Sequence, residues 1–91
     1  MFYKLSKTYE FEGKSYDELT IDIESLSGSD ISAVKRDFTA MGGFAAVLTL
    51  DYDFCIMLVA RAMKQPLEFF KGLPAKDYCA LAQATANFLN A

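Results

Sequence analysis

The residues in this chain whose types and spacing could do chemistry are Asp51 with Asp53, the pair Gly42-Gly43, and the cysteines Cys55 and Cys79. Two aspartates two positions apart could share a cation or divide acid and base work. No third oxygen-rich ligand stands near them, however, and an aspartate at the head of an apolar run is expected to cap a helix instead. Gly42-Gly43 is not followed by Gly-Lys-Ser/Thr, so it does not form a phosphate loop. Cys55 and Cys79 form neither a Cys-x-x-Cys pair nor a metal-spaced set, and each sits in an apolar segment, where a small buried thiol is expected. The chain has no histidine, so the usual general base at neutral pH is missing. No catalytic, metal or cofactor site is assigned, and the chain reads as a non-enzyme.

Composition points towards binding. Ninety-one residues make one domain, 1–91, with one core that buries roughly 60–65% of the surface its unfolded chain exposes. Hydrophobic residues make up 53% and aromatic residues 14%, which is more than so small an interior can hide, so part of the apolar surface is expected to face a partner. A net charge of −3 argues against a phosphate-binding surface and hence against nucleic acid. The N-terminus carries Lys4 and Lys7 where a signal peptide needs its apolar core. The stretch from Phe44 to Met63 is interrupted by Asp51, Asp53 and Arg61, and its uncharged run from Phe54 to Ala60 is far shorter than the roughly 20 residues of a spanning helix. A soluble protein is expected.

The elements that must position these residues follow from periodicity. Leu5, Tyr9 and Phe11, then Leu19, Ile21 and Ile23, occupy odd positions, with polar residues on the even ones, which predicts a β-hairpin over 1–25. Keeping both odd sets on one face places Tyr9 opposite Leu19, Leu5 opposite Ile23 and Glu10 opposite Glu18, around a Gly13-Lys14-Ser15 loop. The remainder, 27–91, reads as helical. Ser27-Gly28-Ser29-Asp30 is a capping box, and Ile31, Val34, Phe38 and Met41 follow at helical spacing until Gly42-Gly43. Phe44 to Leu50 is read as a loop lying across the core.

Asp51 or Asp53 caps a second helix that runs to about Met63. Its middle is apolar on every face and must be buried, either by the rest of the chain or by a neighbouring subunit. Pro66 opens a short helical turn that Gly72 closes, and Pro74 opens the last helix, with a stripe of Tyr78, Leu81, Thr85 and Phe88-Leu89. The predicted architecture is α+β: an N-terminal hairpin, three main helices and a short helical turn. Phe69-Phe70 lies on that turn, where only one ring can easily face the core: either both pack under the helix junction, or one is left for a subunit or client contact. Phe54, Met57, Leu58, Phe69 and Phe70 are the candidate protein-binding residues, and self-association is expected.

From about Tyr16 to Phe88 the chain resembles the tail assembly chaperones of tailed bacteriophages. The matching residues are Tyr16-Asp17-Glu18-Leu19, the helix start at Leu26, Gly28 and Asp30, Asp53-Phe54-Cys55, Ala60, Ala62, Pro66 and Phe69-Phe70. The most specific segment is Leu73-Pro74-Ala75-Lys76-Asp77-Tyr78, followed by Asn87-Phe88-Leu89. The resemblance implies a protein that coats the tape measure protein in the host bacterial cytoplasm and is absent from the mature virion. It also implies a possible second, longer form made by ribosomal frameshifting; a chain ending at Ala91 suits the shorter form. No cofactor, nucleic acid or membrane partner is implied.

Three other readings are weaker. Glu24-Ser25-Leu26 is a faint match to the serine motif of carrier proteins, but that serine starts a helix in an all-helical bundle, whereas Ser25 follows a predicted strand. A small transcriptional or antitoxin-like regulator needs a basic recognition helix, and the Lys35-Arg36 helix also carries Asp30 and Asp37. A secretion-type effector chaperone shares the same physics and stays open at this point.

Overall fold

A computed structural model describes all 91 residues, Met1 to Ala91. Strands β1 (Phe2–Phe11) and β2 (Lys14–Thr20) form a two-stranded antiparallel sheet. Four helices follow: α1 (Gly28–Ala40), α2 (Tyr52–Met63), α3 (Leu67–Lys71) and α4 (Ala75–Leu89). Short 3-10 turns at Ile23–Ser25 and Leu48–Leu50 complete the connections. The α+β architecture read from periodicity is the observed one.

The hairpin register differs from the expected one. Tyr9 pairs with Tyr16, Tyr3 with Leu19 and Lys4 with Glu18, so neither the Tyr9–Leu19 pair nor the Glu10–Glu18 pair forms. Leu5 does not face Ile23 across the ladder, because β2 ends at Thr20 and Ile23 opens a 3-10 turn. Two local causes account for the difference. The connection is the two-residue turn Glu12-Gly13, both at positive φ (50° and 81°), which sets Phe11 opposite Lys14 and joins odd positions to even ones. Further along, the four residues Leu5 to Thr8 stand opposite Asp17 alone. This irregularity restores odd-to-odd pairing at the far end. It leaves Leu5 buried, and the Thr8 hydroxyl donates to Asp17 at 2.6 Å.

The all-apolar middle of α2 is buried by its own chain. Phe54, Cys55, Ile56, Leu58 and Val59 are fully buried, and α2 packs against α1, α3, α4 and both 3-10 turns. Asp51 is the cap, its carboxylate accepting from the Phe54 N–H at 3.0 Å. Lys64 ends the helix in the left-handed region at φ 55°. Asp30 accepts from the Ser27 N–H at 2.8 Å at the start of α1 and from the Arg61 Nε at 2.6 Å, tying the first turn of α1 to the last turn of α2. Pro66 and Pro74 each stand one position before the first helical residue, where the proline ring leaves the helix ladder intact.

Other expectations need correction. The Phe44 to Leu50 loop does not lie across the core: Phe44 is 90% exposed, Val47 and Leu50 are exposed too, and only Leu48 packs inward. In α4 the buried residues are Asp77, Leu81, Ala82, Thr85 and Ala86, while Phe88 stays 42% exposed. Cys79 is exposed, because it lies on the outer side of α4, and only Cys55 is a buried thiol.

Both Phe69 and Phe70 are fully buried, so of the two readings the one in which both rings pack under the helix junction is observed. Phe69 meets Tyr9, Phe11 and Tyr16 edge-to-face at centroid distances of 5.4, 5.1 and 4.9 Å. Phe69 also meets Phe70 at 4.9 Å, and both rings belong to the core cluster that α2 and α4 share.

Candidate functional site

Helices α1, α2 and α3 leave a groove where they meet. Its floor is Met41, Met57 and Leu67, which line two adjoining depressions. One end is completed by Phe38, Gly43, Asp53 and Lys71, the other by Asp37, Ala40 and Ala60. The sequence builds it in steps. Met41 is the C-cap of α1, where the chain turns away through Gly42 at φ 87°, so its side chain is left without a covering element and is 66% exposed. Gly43 passes so close to the Phe38 ring that a Cβ there would meet it at 2.6 Å, and this closeness keeps the loop root against the groove wall. Met57 faces outward from the otherwise buried α2, and Leu67 opens α3 beside it; both are half-buried.

A polar cluster borders the groove. The Tyr78 hydroxyl donates to the Asp53 carboxylate at 2.5 Å, and the Lys71 ammonium donates to Asp53 at 3.1 Å and to the Tyr78 oxygen at 2.9 Å. The hydrogen bond from Tyr78, then that from Lys71, holds the Asp53 carboxyl below the usual carboxylate range, against a smaller opposing effect of burial. Burial and the neighbouring Asp53 push the Tyr78 phenol up. The cluster joins α2, α3 and α4, but it is exposed, so water screens it.

The second polar feature is structural. Asp77 is fully buried on α4 and accepts from the Tyr3 hydroxyl at 2.9 Å, the Ser6 N–H at 3.0 Å and the Ser6 hydroxyl at 2.8 Å. Burial alone would raise its pKa, but the Ser6 and Tyr3 hydrogen bonds outweigh burial and hold the carboxyl below its ordinary value. The irregular stretch of β1 is what frees the Ser6 N–H to reach it. Burial and the Asp51 carboxylate push the Cys55 thiol up to about 11, so at neutral pH it is an unreactive thiol donating to the Thr49 carbonyl at 3.5 Å. No three histidine, cysteine or carboxylate side chains cluster closely enough to hold a metal ion.

Of the five residues singled out for binding, four have no exposed surface: Phe54, Leu58, Phe69 and Phe70 lie inside the chain's own core. Met57 alone reaches the groove. Sequence reasoning assigned Met41 to the core face of α1 and passed over Leu67 and Asp37. The Gly-Gly directly after Met41 is the signal that the covering chain leaves at that point.

The motif residues divide in the same way. Leu73 is buried in the core, Pro74 caps α4, and Asp77 and Tyr78 join elements. Asn87 accepts from Gln83 at 3.1 Å on the surface, and Leu89 packs on the smaller cluster of Val34, Phe38, Phe54 and Leu58.

A family model described as phage tail assembly chaperone proteins, E, or 41 or 14, matches residues 3–90. This chain belongs to the phage tail assembly chaperone family. Membership decides among the readings left open above, in favour of tail assembly over a transcriptional regulator or a secretion chaperone. These chaperones are assembly factors and not typically enzymes. No curated protein and no solved structure matches the chain. In this chaperone no helix is long and apolar enough to cross a membrane.

Proposed function

We propose that this chaperone binds the tape measure protein and keeps it soluble during tail assembly, without catalysis, through the groove floored by Met41, Met57 and Leu67. The observation that carries the reading is this methionine-lined groove, left open beside a core in which Phe54, Leu58, Phe69 and Phe70 are fully buried. Unbranched, polarisable methionine side chains adapt to varied apolar partners, which suits a client met at many points along its length. An amphipathic helix laid in such a groove is a common mode of recognition. Weak contacts repeated along one client sum through avidity, so the chaperone acts as several copies on one tape measure chain. It works in the host cytoplasm, with a longer frameshifted form as an additional partner, and leaves before the virion is complete.

Co-expression with the tape measure protein of the same phage tests this. The client is expected to stay soluble and to co-purify with the wild-type chain, and Met57→Glu is expected to abolish both while the chaperone itself remains folded. Leu58→Glu is the wrong probe, because Leu58 lies in the core and a charge there unfolds the domain. A client equally soluble without the chaperone, or captured equally by Met57→Glu, rules the role out.

A further inference from the structure

The charges around the groove specify what lies in it. Asp37 at one end belongs to α1 and is exposed with no ion-pair partner, since the chain's two salt bridges are Arg61–Asp30 and Lys71–Asp53. At the other end stands Asp53, facing the single lining cation Lys71, whose charge it already shares. Between these carboxylates the floor is apolar: Met41, Met57, Leu67, Ala40 and Ala60. The lining therefore carries net negative charge on a protein that is itself net negative, at −3. A basic segment would pair with the unpartnered Asp37, and a partner with net negative charge, such as a second copy, has no such overall complementarity.

We propose that the groove selects amphipathic helices whose apolar stripe is bordered by lysine or arginine, with the stripe seated on Met41, Met57 and Leu67 and a cation paired to Asp37. This deepens the client-binding reading above and rests on it. Geometry fits: apolar residues at i, i+3, i+4 and i+7 of a helix form one stripe, and long cationic side chains at its edge bury their stems while their heads reach the rim. A helix of about 20 residues is about 30 Å long, enough to cross the molecule's 33 Å longest dimension almost completely. Asp37 sets which helices bind; the methionines supply most of the contact area. Selection by an exposed carboxylate is modest at each contact and multiplies along a client that presents many such helices.

The test uses the full chain and two synthetic helical peptides of about 20 residues, with identical leucine stripes bordered in one by lysine and in the other by glutamate. Titration at low salt is expected to show tighter binding of the lysine-bordered peptide. Asp37→Lys is expected to weaken that peptide about two- to five-fold and to strengthen the glutamate-bordered one, and high salt is expected to erase the difference. Met57→Glu removes binding of both. Equal affinities for the two peptides, or a preference that Asp37→Lys leaves unchanged, overturns the charge selection. If neither peptide binds while the tape measure protein still co-purifies in a Met57-dependent way, the selection rule falls and the chaperone role stands. If neither peptide binds and co-purification also fails, both fall. A wild-type dimer that Met57→Glu turns into a monomer in sedimentation, and that the lysine-bordered peptide cannot dissociate, assigns the groove to a second copy and overturns the proposal.

Discussion

Asp77 shows how a single side chain joins two parts of this molecule. Its carboxylate takes three hydrogen bonds from β1 while sitting on α4, so removing it leaves two hydroxyls and a strand N–H without their partner in a partly buried setting. Asp77→Ala is expected to destabilise the fold by about 2–4 kcal/mol, read as a lower midpoint in urea unfolding. The carboxyl is held below its ordinary value in the folded state, so its contribution is complete above about pH 4, where the unfolded chain's aspartate is ionised, and is lost as pH falls through the lower folded value. Asp77→Asn should therefore flatten the loss of stability on acidification, and an unaltered acid profile would count against this role. The cysteines provide a second check at this scale. A thiol reagent at pH 8 is expected to modify the exposed Cys79 quickly and Cys55 only after denaturation, because burial pushes the Cys55 thiol up to about 11.

At the scale of elements, the hairpin depends on local backbone rules. Glu12 sits at φ 50° and Gly13 at φ 81°, the conformation of a two-residue turn that favours asparagine followed by glycine. Glu12→Asn is expected to raise stability by about 0.5 kcal/mol, and Gly13→Ala to lower it by about 1–2 kcal/mol, both measured as unfolding midpoints. Gly72 is required for a different reason. Its φ is ordinary at −83°, but the Tyr9 hydroxyl, which donates to the Phe69 carbonyl at 2.7 Å, lies directly against its Cα, where a side chain would stand. A helix-ending glycine read from sequence is here a glycine of close approach.

For the whole molecule, Phe69 is the keystone between sheet and helices. It touches three aromatic rings of the hairpin and Phe70 of its own helix. Phe69→Ala is expected to cost about 3–5 kcal/mol. A domain of this length has roughly 5–14 kcal/mol in total, so the variant should unfold at a much lower temperature, with loss of the aromatic near-ultraviolet signal. On α3 the groove is lined by Leu67 and Lys71 and not by the two phenylalanines. The proposed client contact and hairpin docking thus use different residues of one five-residue helix. Met57→Glu should lower the unfolding midpoint far less than Phe69→Ala, because Met57 is only half-buried, while removing the proposed client contact.

The sequence by itself determined what local periodicity and capping chemistry can determine. The hairpin as an element, the starts of α1, α2 and α4, the end of α1 at Gly42-Gly43, and a cap at Asp51 or Asp53 all follow from interactions between residues close in the chain. The chaperone family, too, was legible in the run from Leu73 to Tyr78. Tertiary structure decided the strand register, because parity in a sequence carries no mark of a four-against-one irregularity whose reason is Asp77, some seventy positions away. It also decided which apolar residues are spare. Phe54, Leu58, Phe69 and Phe70 look as available as Met57 until α1, the hairpin and α4 are packed against them. Burial is a sum over the whole chain, and a contact surface is what remains after that sum is taken.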